Sequence, residues 1–201
     1  MLDNLFNLVQ KGGPVMIIII LVSLAAFTLI IKKWLFLRKK MADPIFLERF
    51  FSRIGEKDFV SAKALCEERS SPIAEILAIG IDHREKEKER IRELIHEVIL
   101  RELHSLEKHL STIAVLAVIL PILGLLGTVT GMISTFEVLS KVGTTDPAAL
   151  AAGISEALLT TQAGLITALP TLLFHNFLSN KVDQITLDME AALSRFLNLL
   201  E

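Results

Sequence analysis

Cysteine is almost absent from these 201 residues, and so is any excess of positive charge. The single Cys66 cannot form a disulfide within the chain, and an unpaired cysteine in a charged segment is typical of a reducing compartment. No group of cysteines and histidines has the spacing of metal ligands. With a net charge of -2, the chain lacks the basic surface that nucleic-acid binding requires. We therefore expect no disulfide, metal, cofactor or nucleic-acid partner.

Charge is also missing from three long stretches, and apolar residues fill them. The chain is 52% hydrophobic, with a mean hydropathy of +0.54, which is too apolar for an ordinary soluble domain. The uncharged stretches are Pro14 to Ile31, Leu110 to Phe136 and Ala157 to Asn180. At about 1.5 Å per residue, each helix approaches or exceeds a hydrocarbon core of roughly 30 Å. The predicted fold class is an all-α integral membrane protein with three transmembrane helices.

The distribution of lysine and arginine predicts the orientation of these helices. Residues 32–108 contain 17 of the 21 basic residues, and the positive-inside rule places this segment in the cytoplasm. Residues 1–13 lack the cationic start and the cleavage site of a signal peptide, so we expect them to be retained outside. With three spans, the C-terminus is then inside.

This topology divides the chain into seven regions, in which helices two and three extend into a cytoplasmic helical domain. The regions are an external N-terminal segment (1–13), transmembrane helix one (14–37), a cytoplasmic helical region (38–109), transmembrane helix two (110–139), an external loop (140–153), transmembrane helix three (154–180) and a cytoplasmic C-terminal helix (181–201). The lipid bilayer is thus an expected partner of all three spans.

Two short amphipathic helices are predicted within the cytoplasmic region. Asp43 and Pro44 fit the cap and first position of a helix whose apolar repeat ends at Gly55. A second helix is expected over 58–69.

A long helix is predicted after these two. Residues 84–120 contain neither glycine nor proline and keep a helical apolar repeat, which predicts one unbroken helix from Arg84 to about Leu139.

The second and third spans carry small and polar residues on one side. In the second span, Gly124, Gly127 and Gly131 permit close helix packing, and Pro121 is expected to kink the helix. In the third span, Glu156, Thr160, Ala163, Thr167 and Thr171 share one face, beside a stripe of Thr161, Gly164 and Ala168. Polar groups are costly in lipid unless they face protein or water. Both helices therefore predict a closed ring of several copies.

These two spans contain motifs that resemble a known family. Gly124-Leu-Leu-Gly-Thr-Val-Thr-Gly-Met-Ile133, followed by Gly153-Ile-Ser-Glu-Ala-Leu-Leu-Thr-Thr-Gln-Ala-Gly-Leu165 and Pro170, closely resembles the ExbB/TolQ/MotA proton-channel family. The resemblance to the ExbB/TolQ branch extends over the full length. It implies a proton-channel subunit in the bacterial inner membrane, with a periplasmic N-terminus and a cytoplasmic C-terminus.

The resemblance also implies partners and residue roles. A homopentamer would surround a pore that holds an ExbD/TolR-type partner, whose single membrane helix carries an Asp. The proton motive force would then energise a TonB- or TolA-type transducer for import across the outer membrane or for envelope maintenance. By motif position, Thr128 and Thr161 resemble the pore-lining hydroxyls and Glu156 the outer acidic residue. Pro121 and Pro170 occupy the places of prolines that matter in the flagellar-stator relatives.

Simpler interpretations of the same residues remain open. Membrane glycines are commonly packing contacts, threonines often bond their own helix, and Glu156 could complement a helix dipole. A passive oligomeric scaffold is therefore the alternative function. An enzyme is not expected, since His96-Glu97 begins like a metalloprotease motif but position 100 is leucine.

Overall fold

The computed structural model describes residues 12–142 and 147–200, and these are helical almost throughout. The helices are α1 (Gly13–Lys40), α2 (Pro44–Gly55), α3 (Phe59–Glu67), α4 (Pro72–Asp82), α5 (Lys88–Glu107), α6 (Leu110–Val142) and α7 (Pro147–Leu199). The described residues contain no strand. Three helical stretches, in α1, α6 and α7, are long and apolar enough to cross a membrane. This confirms the predicted all-α class, and the three long apolar helices fit an integral membrane protein.

The described residues form two compact units. The first, here called the spanning unit, contains residues 12–32 and 109–176, and the second, the charged unit, contains residues 33–108 and 177–200. In the spanning unit, α1, α6 and α7 share a small apolar core. Its buried residues are Val15, Ile19, Leu120 and Ala168.

In the charged unit, α2 begins as predicted. The Asp43 carboxylate accepts a hydrogen bond from the Ile45 N–H at 3.0 Å, and Pro44 occupies the first helical position. The helix buries an aromatic face, and the ring centroids of Phe50 and Phe196 are 6.4 Å apart. The C-terminal part of α7 therefore belongs to the core of this unit.

The sequence pattern did not predict α4, which fills much of that core. The Ser71 hydroxyl accepts from the Ala74 N–H at 3.3 Å, and Pro72 follows the cap. The buried residues include Ile73, Ile76, Leu77 and Ile81. The start signal is the same as at Asp43 and Pro44, a capping side chain followed by proline.

The unbroken helix predicted from Arg84 to Leu139 is wrong. Residues 83–87 are turns and extended chain, and Lys108 and His109 separate α5 from α6. His109 has a φ of 72°, and Lys108 is extended with a ψ of 130°. Histidine is one of the residues that adopt a positive φ more readily than most. A helix can therefore end at His109 although the segment contains neither glycine nor proline, the two residues whose absence led to the prediction of an unbroken helix.

The helices on either side of the predicted loop over 140–153 are longer than expected. α6 continues to Val142, and α7 begins at Pro147 rather than at residue 154, because proline suits the first helical position and the alanines after it favour helix. Residues 143–146 and most of the predicted N-terminal segment lie outside the described residues. α7 then continues without interruption through the predicted C-terminal helix as far as Leu199.

Cys66 provides a test of the charged unit's core. Its thiol is buried, and burial, with a smaller effect from the Glu67 charge, raises its pKa to about 12. At neutral pH this leaves about a thousandfold fewer reactive thiolates than at an exposed cysteine. We expect intact mass spectrometry to show no maleimide on the folded protein at pH 7.5 and complete labelling after denaturation in SDS. Rapid labelling of the folded protein would contradict the burial of Cys66.

Candidate functional site

Glycines bring the backbones of α6 and α7 into direct contact in the spanning unit. A Cβ added to Gly164 would lie 2.6 Å from the carbonyl oxygen of Leu120 and 3.0 Å from the Cα of Gly124. A Cβ on Gly124 would lie 3.0 Å from the Cα of Thr161. Side chains cannot occupy these positions unless the two backbones separate. The contact therefore fixes which sides of α6 and α7 face each other.

The same contact continues along both helices as a glycine seam, formed by Gly124, Gly127, Gly131, Gly153 and Gly164. The further close pairs are Gly127 with the Thr160 side chain, Gly131 with Ala157, and Gly153 with the Thr135 side chain. Gly153 and Gly164 were not among the predicted site residues. Their closeness depends on the register between the two helices, which spacing within one helix does not reveal.

Two threonine hydroxyls lie close to one carbonyl oxygen across the seam. Thr161 donates to the carbonyl oxygen of Gly124 at 3.0 Å, and the Thr160 hydroxyl lies 3.3 Å from the same oxygen. The Thr160 hydroxyl also lies 2.7 Å from the carbonyl oxygen of Ala157, and its side chain is buried. Thr161 remains half-buried. Thr160 is thus a packing residue of the seam, whereas Thr161 joins the seam to a more accessible surface.

Thr128 lies on α6, one helical turn after Gly124, and is half-buried. Its hydroxyl donates to the carbonyl oxygen of Leu125 at 2.7 Å, within its own helix. The structure therefore gives Thr128 and Thr161 separate acceptors. Pro121 and Pro170 both lie inside continuous helices, where each removes one backbone N–H from the helical ladder.

Glu156 is exposed near the start of α7, and Gln162 is exposed further along the same helix. None of the described side chains forms an ion pair with Glu156. By contrast, Thr167 and Thr171 donate to carbonyls one turn earlier in α7, each at 2.8 Å. Such bonds satisfy a hydroxyl inside a membrane helix without water. The polar face of α7 therefore combines satisfied threonines with an unpaired carboxylate, and the amide of Gln162 lies on another side of the helix.

The described residues do not bring together three or more His, Cys, Asp or Glu side chains that could hold a metal ion. Over residues 110–136 of α6 and 156–174 of α7, the polar side chains are instead hydroxyls, one amide (Gln162) and one carboxylate (Glu156). Hydroxyls donate and accept hydrogen bonds and so can relay a proton.

Comparisons with known proteins agree with the motifs. A sequence model of the MotA/TolQ/ExbB proton channel family matches residues 68–191. A putative biopolymer transport protein, ExbB-like 1, of Synechocystis is 32% identical over 197 residues, which cover 94% of this chain and 76% of that protein. The Tol-Pal system protein TolQ of Haemophilus influenzae is 36% identical over 100 residues, 50% of this chain and 44% of that protein.

A putative ExbB homolog of Methanothermobacter thermautotrophicus is 23% identical over 182 residues, 90% of this chain. The chain spans 64% of the length of that relative. The family match includes all of α6 and most of α7, the two helices that form the glycine seam.

Proposed function

Because the chain belongs to the MotA/TolQ/ExbB proton channel family, we propose that it is the channel subunit of a motor complex in the bacterial inner membrane. The complex uses the proton motive force to energise a TonB- or TolA-type transducer. The transducer in turn supports import across the outer membrane or maintenance of the envelope. The names ExbB and TolQ belong to the relatives, and they support this branch of the family.

The observation that supports this proposal best is the surface that the glycine seam leaves open. The seam uses one side of α6 and of α7, while Thr128, Glu156 and Gln162 remain wholly or partly accessible in a single copy. Polar groups at membrane depth are costly against lipid. Further copies of the chain, or a partner, must therefore cover them, and a closed ring does so symmetrically. The family resemblance supports five copies.

The same proposal assigns each part of the chain to a side of the membrane. The basic residues concentrated in 32–108 place the charged unit in the cytoplasm, together with the C-terminal end of α7. The N-terminal segment and the connection over 143–146 are then periplasmic.

The titrating group of the motor is proposed to come from a partner. Between Leu110 and Phe136, and between Ala157 and Asn180, the chain has no carboxylate or lysine, and its one histidine, His175, lies near the end of the third span. A proton carrier must be neutral when loaded and charged when empty, which hydroxyls are not. An Asp on the single membrane helix of an ExbD/TolR-type partner fits this role. Thr128 and Thr161 from the surrounding ring would solvate that Asp, with Glu156 near the outer mouth.

One observation favours the alternative of a passive scaffold. Thr160, Thr167 and Thr171 all donate to backbone carbonyls, so most hydroxyls of α7 are satisfied without an ion or water. A scaffold would hold a partner helix in the same ring without conducting. The two functions therefore differ in ion flux and agree in assembly.

Reconstitution separates these functions. The chain is purified with the single-span protein that accompanies it and placed in liposomes under an inside-negative potential, with a pH-sensitive dye inside. We expect acidification only when both proteins are present, and unchanged flux when choline replaces sodium. Stable binding of the partner without proton flux would instead establish the scaffold, and flux that requires sodium would contradict proton use.

A further inference from the structure

A cavity of about 520 Å³ lies in the charged unit beside the end of α1. Its walls include Phe36, Lys39 and Lys40 of α1, and Arg69 and Ser71 of the segment between α3 and α4. Small-molecule sites in proteins typically measure about 300 to 1,000 Å³. None of these residues belongs to the glycine seam or to the proposed ion path, so the proposed function leaves the cavity unexplained.

Two charged groups of the wall, Lys39 and Glu68, have no ion-pair partner among the described residues, and the wall has three cations and two carboxylates. The wall contains the cations Lys39, Lys40 and Arg69 and the carboxylates Asp43 and Glu68. Arg69 pairs with Asp43 at 2.5 Å, and Lys40 pairs with Glu102 at 3.3 Å. Lys39 is exposed and forms no ion pair with any described residue. Its ammonium group is therefore available to a ligand.

A buried ammonium group lies behind the same wall. The Nζ atoms of Lys33 and Lys40 are 4.9 Å and 5.8 Å from the ring centroid of Phe36. Lys33 is only 5% exposed, and its Nζ donates to the carbonyl oxygen of Ser105 at 3.4 Å. No described carboxylate pairs with Lys33. A buried cation without a counter-charge is costly, and an anion bound nearby would reduce that cost.

The predicted bounds of the first span would put the cavity at the level of the lipid headgroups. The predicted first span covers residues 14–37, and Lys39 is two residues further, about 3 Å along the helix axis. The headgroup layer is about 5 to 8 Å thick on each side of the hydrocarbon core. Trp34, an aromatic residue typical of membrane interfaces, is exposed one turn earlier. Apolar residues of the wall, Met41, Phe46 and Ile73, suit the glycerol and upper acyl chain of a lipid.

From this juxtaposition we propose that the cavity binds the headgroup of an anionic phospholipid, with Lys39 as a ligand of the phosphate. The lipid belongs to the leaflet at that end of α1. A zwitterionic phosphatidylcholine carries the same phosphate together with a quaternary ammonium group, which the cations of the wall disfavour. The site would tie the charged unit to the membrane surface through a lipid as well as through α1.

Thermal unfolding of the full chain in mild detergent tests this site. Short-chain phosphatidylglycerol, short-chain phosphatidylcholine and inorganic phosphate are each titrated into the protein. We expect a saturable rise in Tm with phosphatidylglycerol, and no comparable rise with the other two. Lys39→Gln should weaken the apparent affinity for phosphatidylglycerol about tenfold, because one charge-assisted hydrogen bond to the phosphate is lost. Lys39→Arg should restore most of it.

Arg38→Gln is the matched control, since it removes the same charge from the neighbouring position. Arg38 stacks on Trp34 at 5.7 Å and is not part of the wall. We expect this control to change the affinity less than about twofold. Equal weakening by both substitutions would overturn the site in favour of general attraction to a basic surface. An equal rise in Tm with inorganic phosphate would overturn the assignment to a lipid, and an equal rise with phosphatidylcholine would overturn its preference for anionic headgroups.

Discussion

Gly164→Ala is expected to lower the unfolding temperature by about 3 to 8 °C, because over-packing costs about 1 to 3 kcal/mol and each kcal/mol shifts Tm by about 2 to 4 °C at this size. The new Cβ would lie 2.6 Å from the Leu120 carbonyl oxygen and 3.2 Å from the Gly124 nitrogen. Both contacts are with backbone, which cannot rotate away as a side chain can. In an open helix the same substitution would stabilise by about 0.5 to 1 kcal/mol. The steric cost of the new Cβ therefore makes the expected change in Tm negative.

Circular dichroism of the purified chain in mild detergent measures this effect, and Gly55→Ala provides its control. A Cβ on Gly55 meets nothing within 4 Å, so alanine there should leave Tm unchanged or raise it slightly. Gly127→Ala should also lower Tm, because the new Cβ would lie 2.5 Å from the Cβ of Thr160, an atom that a rotamer change does not move. Equal stability of the Gly164 and Gly55 variants would show that α6 and α7 do not pack through the seam.

The sequence was informative wherever a local signal determines local structure. Asp43 and Pro44 predicted the start of α2 because a capping carboxylate and a proline favour helix initiation in any context. The three spans followed from uncharged length alone. The family followed from the two motifs around Gly124 and Thr161, and the match to residues 68–191 confirms it.

Other features depended on information that a single sequence does not carry. The break at His109 uses a backbone conformation that only a minority of non-glycine residues adopt. The signal for α4 was present at Ser71 and Pro72, yet the apolar run that follows was not recognised as a helix. The helix start at Pro147 was likewise read as part of a loop. At His109, at the start of α4 and at the start of α7, helix capping or burial in the core of the charged unit determines the helix ends. The apolar repeat along the sequence does not.

In the candidate site, too, the sequence predicted features within one helix but not the contacts between helices. Helical spacing grouped Thr160 with Glu156 and placed Thr161 on a neighbouring stripe, but it could not reveal which stripe packs against α6. The structure places both threonine hydroxyls near the Gly124 carbonyl and leaves Glu156 exposed. The register between helices sets this arrangement, and it follows from the backbone contact at Gly164. The roles of Thr128, Thr161 and Glu156 in a proton path remain predictions.

Thr161→Val is expected to reduce proton flux through the complex with its partner at least tenfold while the complex still assembles. Valine keeps the volume of threonine but removes the hydroxyl that donates to Gly124 at 3.0 Å. The close backbone contact at Gly124 and Gly164 does not involve this hydroxyl, so the packing of α6 on α7 is retained. The lost function would then be the solvation of the partner's carboxylate. Thr161→Ser, which keeps the hydroxyl, should restore the flux.

Thr128→Val should have a similar effect, and Thr130→Val is its matched control. Thr130 is two residues from Thr128 and so lies about 200° further around α6, on the side away from the proposed path. Its hydroxyl donates to the Leu126 carbonyl oxygen at 3.0 Å. Flux is measured in liposomes at 100 mV, where each proton that crosses releases about 2.3 kcal/mol. Full flux in both the Thr128 and Thr161 variants would contradict the mechanism. So would conduction by this chain alone at the rate of the complex, because the titrating group would then have to be its own.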